Sequence, residues 1–281
     1  MDTRFWGPSG WQLLHLIAAD PKPSQQRQTA IAEFFNLLEY VLPCKYCRAS
    51  FHDYMEEQPL TAAIVGDTDA FGHWVYAIHN RVNDKLRSQG LLKTVNPSWC
   101  SVRDRYAQLQ KGLCTPDKDS QPLGWNFMTS VAFATPGVRS VSTPMPDAPA
   151  RSTWASLDLR KRNRYNLLTK SERAEALAAW WKLIPAILPC EEWRAAWASG
   201  TAEQGAPPVC DGRNAMMRWM WGVEEAVCAG LRCPKPHPSR KAMVLSVKVH
   251  ASGCSTAKRG KTCRALPRAQ IRRTRKRRDV A

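Results

Sequence analysis

No apolar run in the 281 residues approaches the roughly 18 needed to cross a bilayer as a helix. No segment alternates apolar and polar residues between turn signals, so strands are not expected. The start, MDTRFWGPSGW, lacks the apolar stretch of a signal peptide and the Arg and Ser of a transit peptide. The expectation is a protein that begins in the cytosol and makes no membrane contact. Acidic residues are almost missing from one place. Residues 235–281 hold a single one, Asp279, against fifteen Lys and Arg, while the whole chain carries +17. The basic character therefore belongs to a tail and says little about the folded part.

Two residue types are abundant. There are 12 Trp, which implies large flat surfaces to cover or a flat ligand to hold. There are 10 Cys, namely Cys44, Cys47, Cys100, Cys114, Cys190, Cys210, Cys228, Cys233, Cys254 and Cys263. A cytosolic chain keeps such thiols reduced, binds metal with them, or uses them chemically.

The first 115 residues read as helical. The expected helices are Trp6–Ala18, Gln26–Val41, one that begins about Cys44, Asp69–Leu86, and a short fifth between Cys100 and Cys114. Ile31, Phe34, Phe35 and Leu38 fall at i, i+3, i+4 and i+7. Phe71, Trp74, Val75, Ile78 and Val82 form another core stripe, with His79, Asn80 and Asn83 on the opposite face. Residues 116–150 are rich in Pro, Gly, Ser and Thr without a helical period, and read as a linker. Helical signal returns over 151–233. The basic end, 234–281, is expected to be disordered.

The chain also echoes itself. Glu33-Phe-Phe-Asn-Leu-Leu-Glu-Tyr-Val-Leu-Pro-Cys44 is matched by Ala179-Trp-Trp-Lys-Leu-Ile-Pro-Ala-Ile-Leu-Pro-Cys190. Trp74 follows Cys44 by 30 residues, and Trp219 follows Cys190 by 29. Cys47, His79, Asn80 and Asn83 correspond to Trp193, Glu224, Glu225 and Cys228. The apolar positions survive in the copy and the chemical ones do not.

Cys44-x-x-Cys47 at a helix start has a redox mechanism. Helix N-terminal amides lower a thiol's pKa, and two intervening residues let the sulfurs close a disulfide. The spacing alone also allows half a zinc site or buried structural cysteines. A zinc site needs a second pair, and no CxxC or HxxxH follows. A thioredoxin-type motif needs a preceding strand. Trp6, Trp11, His15 and Trp74 exceed what a five-helix bundle requires, which favours a planar cofactor between helices.

Taken in order, Trp6-Gly7-Pro-x-x-Trp11-x-x-x-His15, Cys44-x-x-Cys47, His79-Asn80-x-Val82-Asn83 and Cys100…Cys114 resemble the Erv/ALR flavin-linked sulfhydryl oxidases. The resemblance covers about residues 4–115. It implies an all-α fold: an FAD-binding bundle of four helices plus a short fifth, followed here by a second, degenerate helical unit. It implies FAD held by Trp6, Gly7, Trp11, His15, Trp74, His79, Asn80, Val82 and Asn83. Arg105-Tyr106 stands where the family usually has Arg-Trp near the adenine. The family's phosphate-facing Lys is displaced, leaving Lys85, Arg87 or Lys93 to replace it. It further implies that Cys44 receives a substrate thiolate and Cys47 faces the flavin, with electrons passing to O₂. Cys100–Cys114 would be a structural disulfide, in a shorter loop than the family's. Cys228–Cys233 and Cys254–Cys263 are candidate shuttle pairs. No metal is expected.

Dithiol proteins are the implied substrates and a homodimer the implied assembly, with an intrachain pseudo-dimer as the alternative. The added second half and missing N-terminal shuttle pair are similar to the enzymes of large DNA viruses. Host cytoplasm or virion, and the nucleus through the tail, are the matching locations. The tail, without aromatics for stacking, would touch nucleic acid through phosphates only. The competing reading is a basic nucleic-acid-binding or packaging protein with structural or zinc-binding cysteines.

Overall fold

The computed structural model describes residues 2–21, 23–113, 123–137 and 142–251. Within them every regular element is a helix. The expected disorder of 252–281, and Cys114, Cys254 and Cys263, lie outside the described residues.

Helix α1 spans Thr3–Ala18, and its N-cap Asp2 accepts from the Arg4 N–H at 2.9 Å. Helix α2, Gln25–Val41, starts at Ser24 and buries the predicted Ile31, Phe34, Phe35 and Leu38. Pro43, which has no N–H to give, separates it from α3, Lys45–Glu57. Cys44 is the N-cap of α3, in extended conformation. A short α4, Ala62–Gly66, was not anticipated; α5 then runs Thr68–Ser88 from an Asp67 cap. Helix α6, Trp99–Leu113, has 15 residues, longer than the short piece expected.

Two expectations need correction. The segment read as a structureless linker contains α7, Trp125–Ala134, and eight of its ten residues are buried. A helix buried on nearly all sides has no polar face, so no period shows in its sequence. The end read as disordered from 234 contains α12, Arg240–Ala251, whose Met243 and Val247 are wholly buried. His250 anchors it: its carbonyl accepts from the Asp2 N–H at 2.9 Å, and its ring stacks on Phe5 at 4.4 Å.

The second half is completed by α8 (Leu159–Arg164), α9 (Lys170–Ile187), α10 (Glu191–Gln204) and α11 (Arg213–Leu231). Its local geometry repeats the first half. Cys190 caps α10 as Cys44 caps α3. Arg48 donates to Leu42 O at 2.7 Å, and Arg194 to Leu188 O at 2.8 Å. The Trp74 indole N–H reaches Gln58 O at 3.0 Å, and that of Trp219 reaches Gly205 O at 2.9 Å. The latter two carbonyls are the C-caps of α3 and α10. Helix α7 completes the copy, because Gly124-Trp125-Asn126 repeats Gly10-Trp11-Gln12.

The halves meet where the sequence echo is strongest. Helix α2 packs along α9, and α7 lies against both α1 and α11. Phe34 stacks on Trp180 with ring centres 5.2 Å apart, and Phe127 meets the same Trp180 edge-on at 5.9 Å. Arginines of α8 clamp the outside: Arg160 to Glu39 and Arg164 to Asp53, each at 3.0 Å.

Candidate functional site

A cavity of about 610 Å³ opens between α1, α5, α6, the α2–α3 elbow and α7. Cys47 lines it, whereas Cys44 is buried. This asymmetry follows from the helix start: Cys44 is the extended N-cap, and Cys47 is one turn further, on the inward side. The Lys45 amine between them donates to the carbonyls of Thr143 (2.9 Å) and Pro144 (3.1 Å). A stretch of the former linker is thereby tied to the active motif.

Of the expected cofactor residues, Trp6, Gly7, Trp11, His79, Val82, Asn83, Lys85, Arg105 and Tyr106 line this cavity. Of Lys85, Arg87 and Lys93, it is Lys85 that lines the cavity; its amine donates to Ser50 Oγ at 2.5 Å. Arg87 instead bonds Asn96 and pairs with Asp84. Three expected residues do not line the cavity. Trp74 is core and spends its indole N–H on the end of α3. Asn80 falls outside the lining. His15 sits behind His79, ring nitrogen to ring nitrogen at 3.1 Å, and stacks on Tyr106 at 4.5 Å.

Sequence reasoning missed Ser50, Phe51 and, above all, Phe127. Phe127 comes from α7, so the second half supplies part of the wall. The available signal was Gly10, where an added Cβ would lie 3.2 Å from the Phe127 ring. A small residue on a helix otherwise rich in large ones marks a close neighbour.

The residues present fit a flat, anionic cofactor. Trp11 and His79 stack on each other with ring centres 4.0 Å apart and together form one aromatic wall of the cavity. The buried indole N–H of Trp6 has no partner and waits for an acceptor. Lys85 and Arg105 supply positive charge for phosphates. Burial together with the neighbouring His79 holds His15 down to about 3, and burial holds His79 down to about 4. Both rings are therefore neutral at pH 7, and one donates to the other.

That neutrality has a stability consequence. Between about pH 6.5 and 4 the unfolded chain protonates both histidines while the folded chain does not. Stability present above pH 6.5 is thus lost as pH falls through this window. Thermal melts should show it, and His79→Asn should flatten part of the slope. Equal slopes for both proteins would remove the pair as its source.

The other cysteines are partly placed. Cys100 is an exposed free thiol at the start of α6, and its expected partner Cys114 lies outside the described residues. The expected Cys100–Cys114 disulfide is therefore not formed in this structure, and peptide mapping without reduction checks it. Cys228 and Cys233 are neighbours around the left-handed C-cap Arg232, but burial pushes the Cys228 thiol far up, which disfavours it as an attacking thiolate. Cys190, which carried no expected role, is disulfide-bonded. Among the described residues no three His, Cys, Asp or Glu side chains converge as a metal site would require.

In the second half the equivalent space is filled. Trp193, at the position of Cys47, is buried. The Trp125 indole N–H donates to Glu224, at the positions of Trp11 and His79. Glu224 in turn holds His237 at 2.9 Å, and His237 meets Ser246 of α12 at 3.1 Å.

The model of the Erv1 / Alr family matches residues 8–102. An FAD-linked sulfhydryl oxidase of African swine fever virus is 32% identical over 106 residues, 37% of this chain and 81% of its own length. The mitochondrial FAD-linked sulfhydryl oxidase ERV1 of Saccharomyces cerevisiae is 34% identical over 88 residues, 31% of this chain and 45% of its own. A probable FAD-linked sulfhydryl oxidase of Acanthamoeba polyphaga mimivirus is 33% identical over 85 residues, 30% of this chain and 59% of its own. The chain thus spans about half the length of the yeast relative and most of the swine-virus one. No solved structure matches. With the motif order, the helical fold and the relatives in agreement, the chain belongs to the Erv1/Alr family.

Proposed function

We propose that this chain is an FAD-dependent thiol oxidase that forms disulfides in protein substrates. The observation that carries this reading is Cys47 opening onto an aromatic, cationic cavity from the first turn of α3. Trp6, Trp11, His79 and Asn83 would hold and orient the flavin, and Lys85 and Arg105 its phosphates. Bound FAD supplies a two-electron acceptor that passes its electrons to O₂, giving H₂O₂. A substrate thiolate attacks Cys44 and forms a mixed disulfide, which releases Cys47 as the thiolate facing the cavity. A second substrate thiol then attacks the mixed disulfide and leaves oxidised. Purified protein should be yellow and release H₂O₂ with a dithiol. A colourless protein that cannot be loaded with FAD would exclude the reading.

The second half is a non-catalytic partner for the first. Its filled cavity supports this, because Trp193, Glu224 and His237 occupy what the first half leaves open. The α2–α9 packing supports the intrachain pseudo-dimer, and homodimerisation is the alternative. The location in host cytoplasm or virion follows the viral relatives. A nuclear destination and phosphate contacts with nucleic acid are proposals for the basic tail.

A further inference from the structure

Arg48 follows Cys47 directly, and its backbone N–H donates to Cys44 O at 3.0 Å. It is buried. Its guanidinium turns back toward the helix start, donating to Leu42 O at 2.7 Å and to Asn166 Oδ1 at 2.8 Å. Its Nε has no partner. Arg173 of α9 is buried beside it, donating to Tyr40 O at 2.7 Å and to the same Asn166 oxygen at 3.5 Å. Every one of these acceptors is neutral. Neither guanidinium forms an ion pair among the described residues.

A buried charge is costly unless an opposite charge compensates it. The other charged groups around Arg48 are committed elsewhere. Lys45 is held by Thr143 and Pro144, and Glu39 by His52 and Arg160. What stands beside Arg48 and can become negative is the Cys44–Cys47 pair. Burial pulls Arg48 down to about 10, and those two thiols pull the other way.

We infer that Arg48 is the built-in counter-charge of the reduced Cys44–Cys47 pair, held in place by Asn166 of the second half, and that it makes this disulfide a stronger oxidant. The inference rests on the redox reading of that pair. Substrate dithiol gives two electrons to the disulfide and becomes a disulfide itself. The S–S bond of the enzyme breaks, leaving one thiol and one thiolate, and one proton goes to solvent. Arg48 stabilises the thiolate and has nothing to stabilise in the oxidised state.

Asn166 fits this role. It holds a left-handed backbone (φ 59), and its amide also donates to Thr143 O at 2.8 Å. The second half contains its own control. Arg194 makes the matching bond to Leu188 O, but it is only half-buried and has Trp193 where Cys47 would be. The elbow bond is therefore common to both halves, and the redox partner is not.

The test is the thiol–disulfide equilibrium of Cys44–Cys47 in the full FAD-loaded chain, without oxygen, in glutathione buffers of set ratio. Alkylation and mass spectrometry of the Cys44–Cys47 peptide read it. A pair that does not titrate in the wild-type chain would defeat the redox reading itself. Arg48→Gln, which keeps a donor for Leu42 O, should shift the equilibrium at least tenfold toward disulfide, about 30 mV for a two-electron couple. Arg194→Gln should leave it within twofold. Arg48→Lys should match wild type near pH 7. It should then drift toward the Gln variant as pH rises to 9, more steeply than wild type, because a buried amine deprotonates early. No shift in Arg48→Gln, or an equal one in Arg194→Gln, overturns the inference. Should the Gln variant not fold, a Lys variant with the wild-type pH slope overturns it.

Discussion

Cys47→Ser is expected to end dithiol turnover while the protein stays folded and keeps its FAD. The position explains both halves of that expectation. Cys47 lines the cavity from the first turn of α3, and in the proposed route it is the sulfur from which electrons leave. Serine is nearly isosteric, so the wall around the cofactor barely changes. A hydroxyl can neither close a disulfide with Cys44 nor surrender electrons. Turnover should fall at least a thousandfold, to the background rate of free flavin. Cys44→Ser should be as inactive, but for another reason: no sulfur remains to accept the substrate thiolate. The two variants separate in a single-turnover experiment. Cys44→Ser leaves the Cys47 thiol beside the flavin, while Cys47→Ser leaves a lone thiol at the buried N-cap. A charge-transfer absorption band after mild reduction should therefore appear in Cys44→Ser and be missing from Cys47→Ser. Substantial turnover in either variant would mean that electrons reach the flavin by another route.

The second large effect concerns Trp180, which has no chemical role. It is wholly buried where three parts of the molecule meet. Its ring stacks on Phe34 of α2 at 5.2 Å, meets Phe127 of α7 at 5.9 Å, and touches Trp181 at 4.8 Å. Trp180→Ala removes the largest kind of side chain from a packed site, which typically costs about 3–5 kcal/mol. It also leaves Phe127 unsupported, and Phe127 walls the cavity proposed for the flavin. Urea unfolding should show the midpoint drop, and FAD should dissociate more readily below the transition. A loss under about 1 kcal/mol would mean that the halves do not depend on this contact.

How much of this was legible in the sequence depended on contrast between faces. Helices α1, α2 and α5 each have one polar side, so the apolar period stood out and their bounds fell within three residues of those observed; for α3 only the start was placed. The residues of α7 are buried nearly all round, and a helix without a polar face looks like no pattern at all. In α12 the opposite happened. Its exposed side carries Leu245 and Val249 as well as Arg240, Lys241 and Lys248, so the buried pair Met243 and Val247, four apart, did not stand out. The candidate site was legible to the extent that its residues shared helix faces with recognisable motifs. His79 and Asn83 line the cavity, and so does Val82, which its stripe had assigned to the core, whereas Trp74 and Asn80 on the same helix do not. Position on a helix gives the face, and only the neighbouring helix decides which part of that face becomes cavity. Arg48 and Asn166 were invisible for a related reason. They lie 118 residues apart, and nothing in either local sequence announces the other.

Because α9 is covalently attached to the half it packs against, dilution cannot separate them. Two free subunits with such an interface would part as their concentration fell toward the dissociation constant, and activity would fall with them. A tether instead fixes the local concentration of the partner at roughly the millimolar level for a flexible connection, however few molecules are present. With the intrachain pseudo-dimer proposed above, specific activity should be constant from micromolar to picomolar protein, whereas the alternative homodimer would lose it on dilution. One flavin, not two, would be bound for each such interface.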